Sequence, residues 1–174
     1  MHSPGNSYFN ISLTFLSLIV LVASCKEEAK ETTVVHESLW QSTKDSLPVK
    51  IGLDTKAHAI LKDWLEYNAL DKSFDKMYSS DYIEDFELVI DEIIENQKKL
   101  EESEYPEKFN IQQIKGRQKL FKTFVLKTKG DLEYRQNPTE SMIQMIKAYN
   151  DLRNQFNVVV NNTLPEELLK NEEN

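Results

Sequence analysis

The sequence predicts an all-α protein: an up-down antiparallel four-helix bundle with a short C-terminal helix, preceded by a leader and a tether. Three observations carry this expectation. Apolar residues recur at alternating steps of three and four over long stretches, which is the pattern of one buried helical face. Glycine and proline, which punctuate β-hairpins and sandwiches, number only 4 and 5 in 174 residues. With 40% hydrophobic and 29% charged residues, a chain of this length suits one domain large enough to bury a core. The expected division is 1–24 leader, 25–53 polar tether and irregular arm, and 54–174 helical bundle.

The leader comes first. Residues 1–24 contain no Lys, Arg, Asp or Glu, and Met1 to Asn10 offer only His2 and the α-amine as a positive n-region. From Ile11 to Ala23 the chain is charge-free and mostly apolar. That length matches a signal-peptide core of about 7–15 residues and is short of the roughly 17–25 residues a membrane-spanning helix needs. The run ends in Val22-Ala23-Ser24-Cys25, and Cys25 is the chain's only cysteine. A lone cysteine excludes an intramolecular disulfide and a thiolate metal cluster.

Those four residues resemble the lipobox of bacterial lipoproteins: a branched apolar residue, two small residues, then cysteine. Small side chains beside the scissile bond admit the peptidase, and only a thiol takes the diacylglyceryl thioether. The resemblance implies cleavage between Ser24 and Cys25, lipid (palmitate among it) on Cys25, and a mature chain of 25–174. Two or more acyl chains, at about 0.8 kcal/mol per buried CH₂, hold a protein on a membrane essentially permanently. Lys26-Glu27-Glu28 resembles the Lys-then-acidic export signals of some Gram-negative lipoproteins. That favours display on the outer surface of the outer membrane over the periplasmic face.

From Cys25 to Leu53 the chain is polar and aperiodic, with Pro48 and Gly52 late in it, which reads as a tether and an irregular arm. Trp40 is its largest apolar side chain and is expected to pin the arm to the domain. Asp45-Ser46-Leu47 resembles the short Asp-Ser/Thr-apolar acceptor for O-glycosylation in some Gram-negative envelope proteins, which makes Ser46 a candidate sugar acceptor.

Four helices are expected after the arm. The first, over 54–78, is capped by Asp54 or Thr55 and carries Ile60, Leu61, Trp64, Leu65, Phe74 and Met77 on one face, with a break expected near Asn68 to Ser73. The second, over 80–102, has the seam Ile83, Phe86, Ile90, Ile93, Gln97, Leu100, a coiled-coil-like heptad with one polar interruption. The third, over 107–135, runs Ile111, Ile114, Gln118, Phe121, Val125, Thr128, Leu132, widened by Leu120 and Phe124 and weakened at Gly116 and Gly130. The fourth starts with Asn137 as N-cap, Pro138 at the first position and Glu140 completing a capping box. Its seam is Met142, Met145, Tyr149, Leu152, Phe156, Val159, closed by Asn161-Asn162. After Pro165, Leu164, Leu168 and Leu169 are expected to cover one end of the core.

Charge supports the order of the helices. Residues 80–104 hold ten acidic side chains against Lys98 and Lys99, a net −8, whereas 107–135 hold eight basic against three acidic, a net +5. Adjacent helices of opposite sign attract. The whole chain carries −8, and an acidic protein is a poor partner for nucleic acid, because neutralising phosphates needs a basic surface.

Motifs for chemistry are sparse. A di-iron bundle needs Glu-x-x-His pairs, and neither His36 nor His58 follows an acidic residue by three. Covalent haem needs Cys-x-x-Cys-His. Haem held between His58 and Met142 or Met145 is outweighed by methionine as core filler. Asp54 and His58, four apart, read as a helix cap and a surface histidine, and Gln97, Gln118 and Thr128 as polar residues that set register. The expectation is therefore a membrane-anchored, non-enzymatic envelope lipoprotein without catalytic residue, metal or cofactor, attached through its N-terminal lipid and acting on a protein partner. The alternative is a small-ligand-binding or sensor bundle, with a polar-lined cavity near Gln97, Gln118, Tyr149 or Trp64; an enzyme or metalloprotein ranks behind both.

Overall fold

The computed structural model describes residues 40–162. The leader, Ser24, Cys25, His36 and the C-terminal Leu164, Leu168 and Leu169 therefore lie outside the described residues. The protein is all-helical, and no strand occurs among the described residues. From Thr55 on, five α-helices follow in order among the described residues: α1 Thr55–Leu61, α2 Leu65–Ser79, α3 Ile83–Glu102, α4 Gln112–Glu133 and α5 Thr139–Asn161, with a 3₁₀ turn at Glu107–Phe109 before α4.

The first expected helix is two. Its break falls at 62–64, not at Asn68 to Ser73. Trp64 leaves helical geometry (φ −91°, ψ 94°) so that its ring can enter the core, where it is 4% exposed. The Asn68 amide donates to the freed carbonyl of Lys62 at 2.8 Å, so the expected break site instead helps stabilise the real one. The discontinuity resets the buried face. Leu65 lies outside at 74% exposure, and Tyr67, Leu70, Phe74 and Met77 face inward.

The other seams hold. Phe86, Ile90, Ile93, Gln97 and Leu100 on α3, Ile114 to Leu132 on α4, and Met142 to Phe156 on α5 are buried. Leu120 does not widen the α4 seam, since it is exposed, whereas Phe124 packs against the core. The third helix starts late, at Gln112, because Phe109 turns into the core against Phe156, with ring centroids 4.7 Å apart.

The ends show the expected chemistry with two differences. Asn137 Oδ1 accepts from the Thr139 amide at 3.0 Å, but the cap position falls on Pro138, whose carbonyl accepts the first helical bond from Met142 at 2.9 Å, and not on Asn137. Glu140, however, accepts from Gln144 at 2.8 Å, so the reciprocal half of the capping box does not form. At the end of α4, Arg135 adopts φ 53°. Gln136 N–H donates to Asp131 O at 2.7 Å and Arg135 N–H to Leu132 O at 2.9 Å, the Schellman pattern that satisfies orphan carbonyls through a left-handed residue.

Side-chain pairs join sequential helices. Ser73 and Lys76 of α2 meet Asn96 and Glu92 of α3, Glu101 and Asp91 of α3 pair with Lys122 and Lys129 of α4, and Arg117 of α4 meets Asp151 of α5. The α3–α4 pairs join the acidic helix to the basic one. Between α2 and α5 long side chains span the core: Phe74 stacks on Tyr149 at 4.0 Å and Tyr67 meets Phe156 edge-on at 5.3 Å.

Candidate functional site

The arm is not wholly irregular. Residues 40–45 are helical, and Trp40 is 4% exposed, tilted against Phe86 at 5.0 Å with its indole N–H on Ser80 O at 3.4 Å. Ser46 is exposed at the end of this helix, its hydroxyl donating to Thr43 O at 2.7 Å. That position is open to a modifying enzyme.

Downstream the arm is clamped by a polar cluster that no sequence motif announced. Arg153 of α5, 5% exposed, donates from Nε to Ile51 O at 2.8 Å and from Nη1 to Tyr67 Oη at 3.0 Å and to Asp71. Tyr149 Oη donates to the same Asp71 carboxylate at 2.7 Å, and Lys50 pairs with it at 3.1 Å. Tyr78 Oη donates to Pro48 O at 2.8 Å, while Asn150 and Asn157 bond the arm's backbone around Val49 to Asp54. Burial first, then the Asp71 carboxylate, pushes the Tyr67 phenol well above its ordinary value. Tyr149 is raised for the same leading reason, with Tyr67 and Asp71 adding to it. With every polar group bonded and the cation matched by carboxylate, this cluster is a structural clamp. Its signal was present in the sequence: Asp71 and Arg153 each sit four residues beyond a core tyrosine, so a charge faces the core on two different helices.

The second assembly lies along the α3–α4 seam. Three clefts follow one another down it: about 400 Å³ beside Tyr105 and Gln118, about 110 Å³ beside Gln97 and about 100 Å³ beside Asp91 and Lys129. The largest of the three is lined by Glu101, Glu104, Tyr105, Lys115, Gln118 and Lys119. Lys115 Nζ stands 5.2 Å from the centre of the Tyr105 ring. The Tyr105 hydroxyl donates to Gln118 Oε1, and burial raises the Tyr105 pKa. Gln118, 2% exposed, leaves Nε2 without a partner, and Gln97, 1% exposed, leaves both amide atoms without one.

The remaining sequence candidates separate. Asp54 caps α1, accepting from the Lys56 amide at 2.8 Å, and that bond holds its carboxyl below the usual value. His58 is exposed on α1. Asp54 bonds Asn157 and Asn161, whereas Met142 and Met145, fully buried, lie about 18 Å or more back along α5 at 1.5 Å per residue. The structure does not bring them to His58. Thr128 is buried and returns its hydroxyl to Phe124 O at 2.9 Å, and Trp64 donates to Ser103 Oγ at 2.9 Å. No group of three metal-ligating side chains occurs among the described residues, and no described helix is long and apolar enough to cross a membrane.

Comparison with known proteins finds no matching family model, no similar curated protein and no similar solved structure. The observations therefore define an all-helical domain with a clamped N-terminal arm and a clefted α3–α4 seam.

Proposed function

We propose that this chain is a bacterial envelope lipoprotein, cut between Ser24 and Cys25, carrying acyl chains on Cys25, and displayed from the outer membrane with its outer surface as the favoured face. Its body is read as an up-down four-helix bundle, closed by a short C-terminal helix, that acts on a protein partner by binding. The observation that carries the reading is Val22-Ala23-Ser24-Cys25 at the end of a leader-length apolar run, in a chain with no other cysteine.

The geometry supports an anchored role. Cys25 stands fifteen positions before Trp40, so the tether reaches at most about 50–55 Å when extended. At Trp40, and again between Lys50 and Asp54, the arm is locked to helices by a buried indole and by the Arg153–Asp71 cluster. A pull on the lipid end is thus transmitted to the helices. In cells, Cys25→Ala is expected to abolish palmitate labelling and to move the protein out of the membrane fraction; unchanged labelling would overturn the lipoprotein reading. Protease shaving of intact cells then separates surface from periplasmic display.

A second reading, small-ligand binding, rests on one observation: a cleft of about 400 Å³, half open to solvent and lined largely by polar and charged side chains, adjoins Gln118.

A further inference from the structure

Between Pro48 and Leu53 no main-chain group bonds to another main chain among the described residues. Side chains of two helices hold this stretch instead. Asn150 of α5 accepts from Ile51 N–H at 3.0 Å and donates to Val49 O at 2.9 Å. Asn157 repeats the pair on Asp54 N–H at 2.7 Å and Gly52 O at 3.1 Å. A side-chain amide offers one acceptor and one donor group, the complement of a peptide unit. Asn150 and Asn157 stand about 10.5 Å apart along α5 at 1.5 Å per residue, and an extended chain covers about 10 Å from residue 51 to residue 54. The helix therefore carries recognition groups at the repeat of an extended chain. Between them Arg153 Nε donates to Ile51 O at 2.8 Å, and Tyr78 Oη of α2 donates to Pro48 O at 2.8 Å.

What these groups read is main chain and one lysine. Val49 is 82% exposed, and of this stretch and its flanks only Leu47 and Leu53 pack against the core. Lys50 pairs with Asp71 at 3.1 Å and with Asp75, one turn further along α2. Asp71 also serves Arg153 and Tyr149, whereas Asp75 has no other ion-pair partner among the described residues. Without Lys50 the groove keeps two carboxylates against one guanidinium and is left short of a cation. A stretch with few side chains in the core and its bonds near the surface opens at less cost than the domain unfolds.

We propose that this groove, made by Asn150 and Arg153 of α5 with Asp71, Asp75 and Tyr78 of α2, docks an extended, lysine-bearing segment of a protein partner. The arm fills it in cis until such a segment displaces Pro48 to Ile51. The assignment rests on the reading that this domain acts by binding a protein. Recognition through main chain does not require the arm's own sequence; it requires extended backbone, the lysine, and a residue other than proline directly after it. Asp54 stays in place, since it caps α1. A basic segment is drawn to a chain of net −8, which repels a second copy of itself.

The test uses the full chain in detergent and a fluorescent peptide with capped ends spanning residues 46–53, read by anisotropy. The covalent arm competes at high effective concentration, so the parent binds the peptide weakly. Lys50→Ala loosens the arm and leaves the peptide intact; it is expected to bind at least about fivefold more tightly, with the helical circular dichroism unchanged. Ile51→Pro, which removes the arm's own N–H donor, reaches the same result by a second route. In the Lys50→Ala chain, Asp75→Asn is expected to weaken binding at least about fivefold, as is alanine in place of the peptide's lysine, whereas Lys72→Ala leaves it alone. Saturating peptide is expected to speed amide hydrogen exchange at Val49 to Ile51 of the chain. The groove assignment falls if the peptide binds parent and loosened chains equally, binds none of them at about 2 mM, or binds without speeding that exchange. Dimers of the Lys50→Ala chain in place of peptide binding overturn it in favour of exchanged arms. The wider partner reading is decided apart from it, by cross-linking the native chain to its neighbours in cells.

Discussion

Replacing Gln97 with methionine, a side chain of nearly the same length, should stabilise the protein. Gln97 is 1% exposed, and neither amide atom has a hydrogen-bond partner. The adjoining cleft of about 110 Å³ has room for a water. Its lining, however, is Ile94, Val125, Leu126 and the chains of Lys98 and Lys122, so a water there would find few of the two to four polar partners it needs. Methionine matches glutamine in helix propensity, removes the desolvated amide and keeps the volume. Relief of the unsatisfied group is worth about 1–3 kcal/mol. At about 3–5 °C per kcal/mol for a domain of this size, a gain of about 2 kcal/mol raises Tm by about 6–10 °C. Urea titration followed at 222 nm should show a higher midpoint with an unchanged slope. An unchanged or lower midpoint would refute the reasoning and show that the amide is satisfied in solution.

Three further outcomes concern the arm and the helix ends. Arg153→Met removes the donor to Tyr67 Oη and Ile51 O, leaving Asp71 with Lys50 and Tyr149, and should cost about 1–3 kcal/mol, with limited proteolysis newly cutting between Pro48 and Asp54; resistance equal to that of the parent would count against the clamp. Arg135→Gly, at φ 53°, should gain about 0.5–1 kcal/mol by removing left-handed strain, and a loss in thermal melts would contradict the Schellman assignment. Burial and then Asp75 push the Tyr78 phenol up to about 12, and Tyr67 and Tyr149 are also raised. Because a folded-state value above the unfolded one favours the protonated form, the contribution of Tyr78 is complete below pH 10 and lost as pH rises through about 12, and that of Tyr67 and Tyr149 is lost at still higher pH. Tyrosinate absorbance and helical circular dichroism should therefore change together in that window. Tyrosinate formation with no loss of helix would refute the coupling.

Periodicity made most of the fold legible. The α3, α4 and α5 seams came through because a step of three and four identifies a buried face wherever a helix is unbroken. Where the chain broke, the same rule failed. Trp64 buries its indole at the cost of helical continuity, so Leu65, in phase with Leu61, ends outside. Glu140 and Leu120 failed for a related reason: one found a nearer partner in Gln144, and the other sits at the edge of a seam whose width depends on the neighbouring helix.

Of the candidate sites, Gln97 and Gln118 were legible as polar residues on apolar seams. That both are unpartnered, and that Gln118 adjoins a cleft, depends on how far α3 stands from α4. The Arg153–Asp71 cluster joins residues 82 positions apart, and no local pattern encodes such a meeting. What the sequence by itself determined is what chemistry along the chain decides: the charge-free apolar run before a lone cysteine, helical class, buried faces, and the opposite charges of α3 and α4. What only the tertiary structure decided is which polar groups found partners once buried, because satisfaction of a buried hydrogen bond depends on distances between helices.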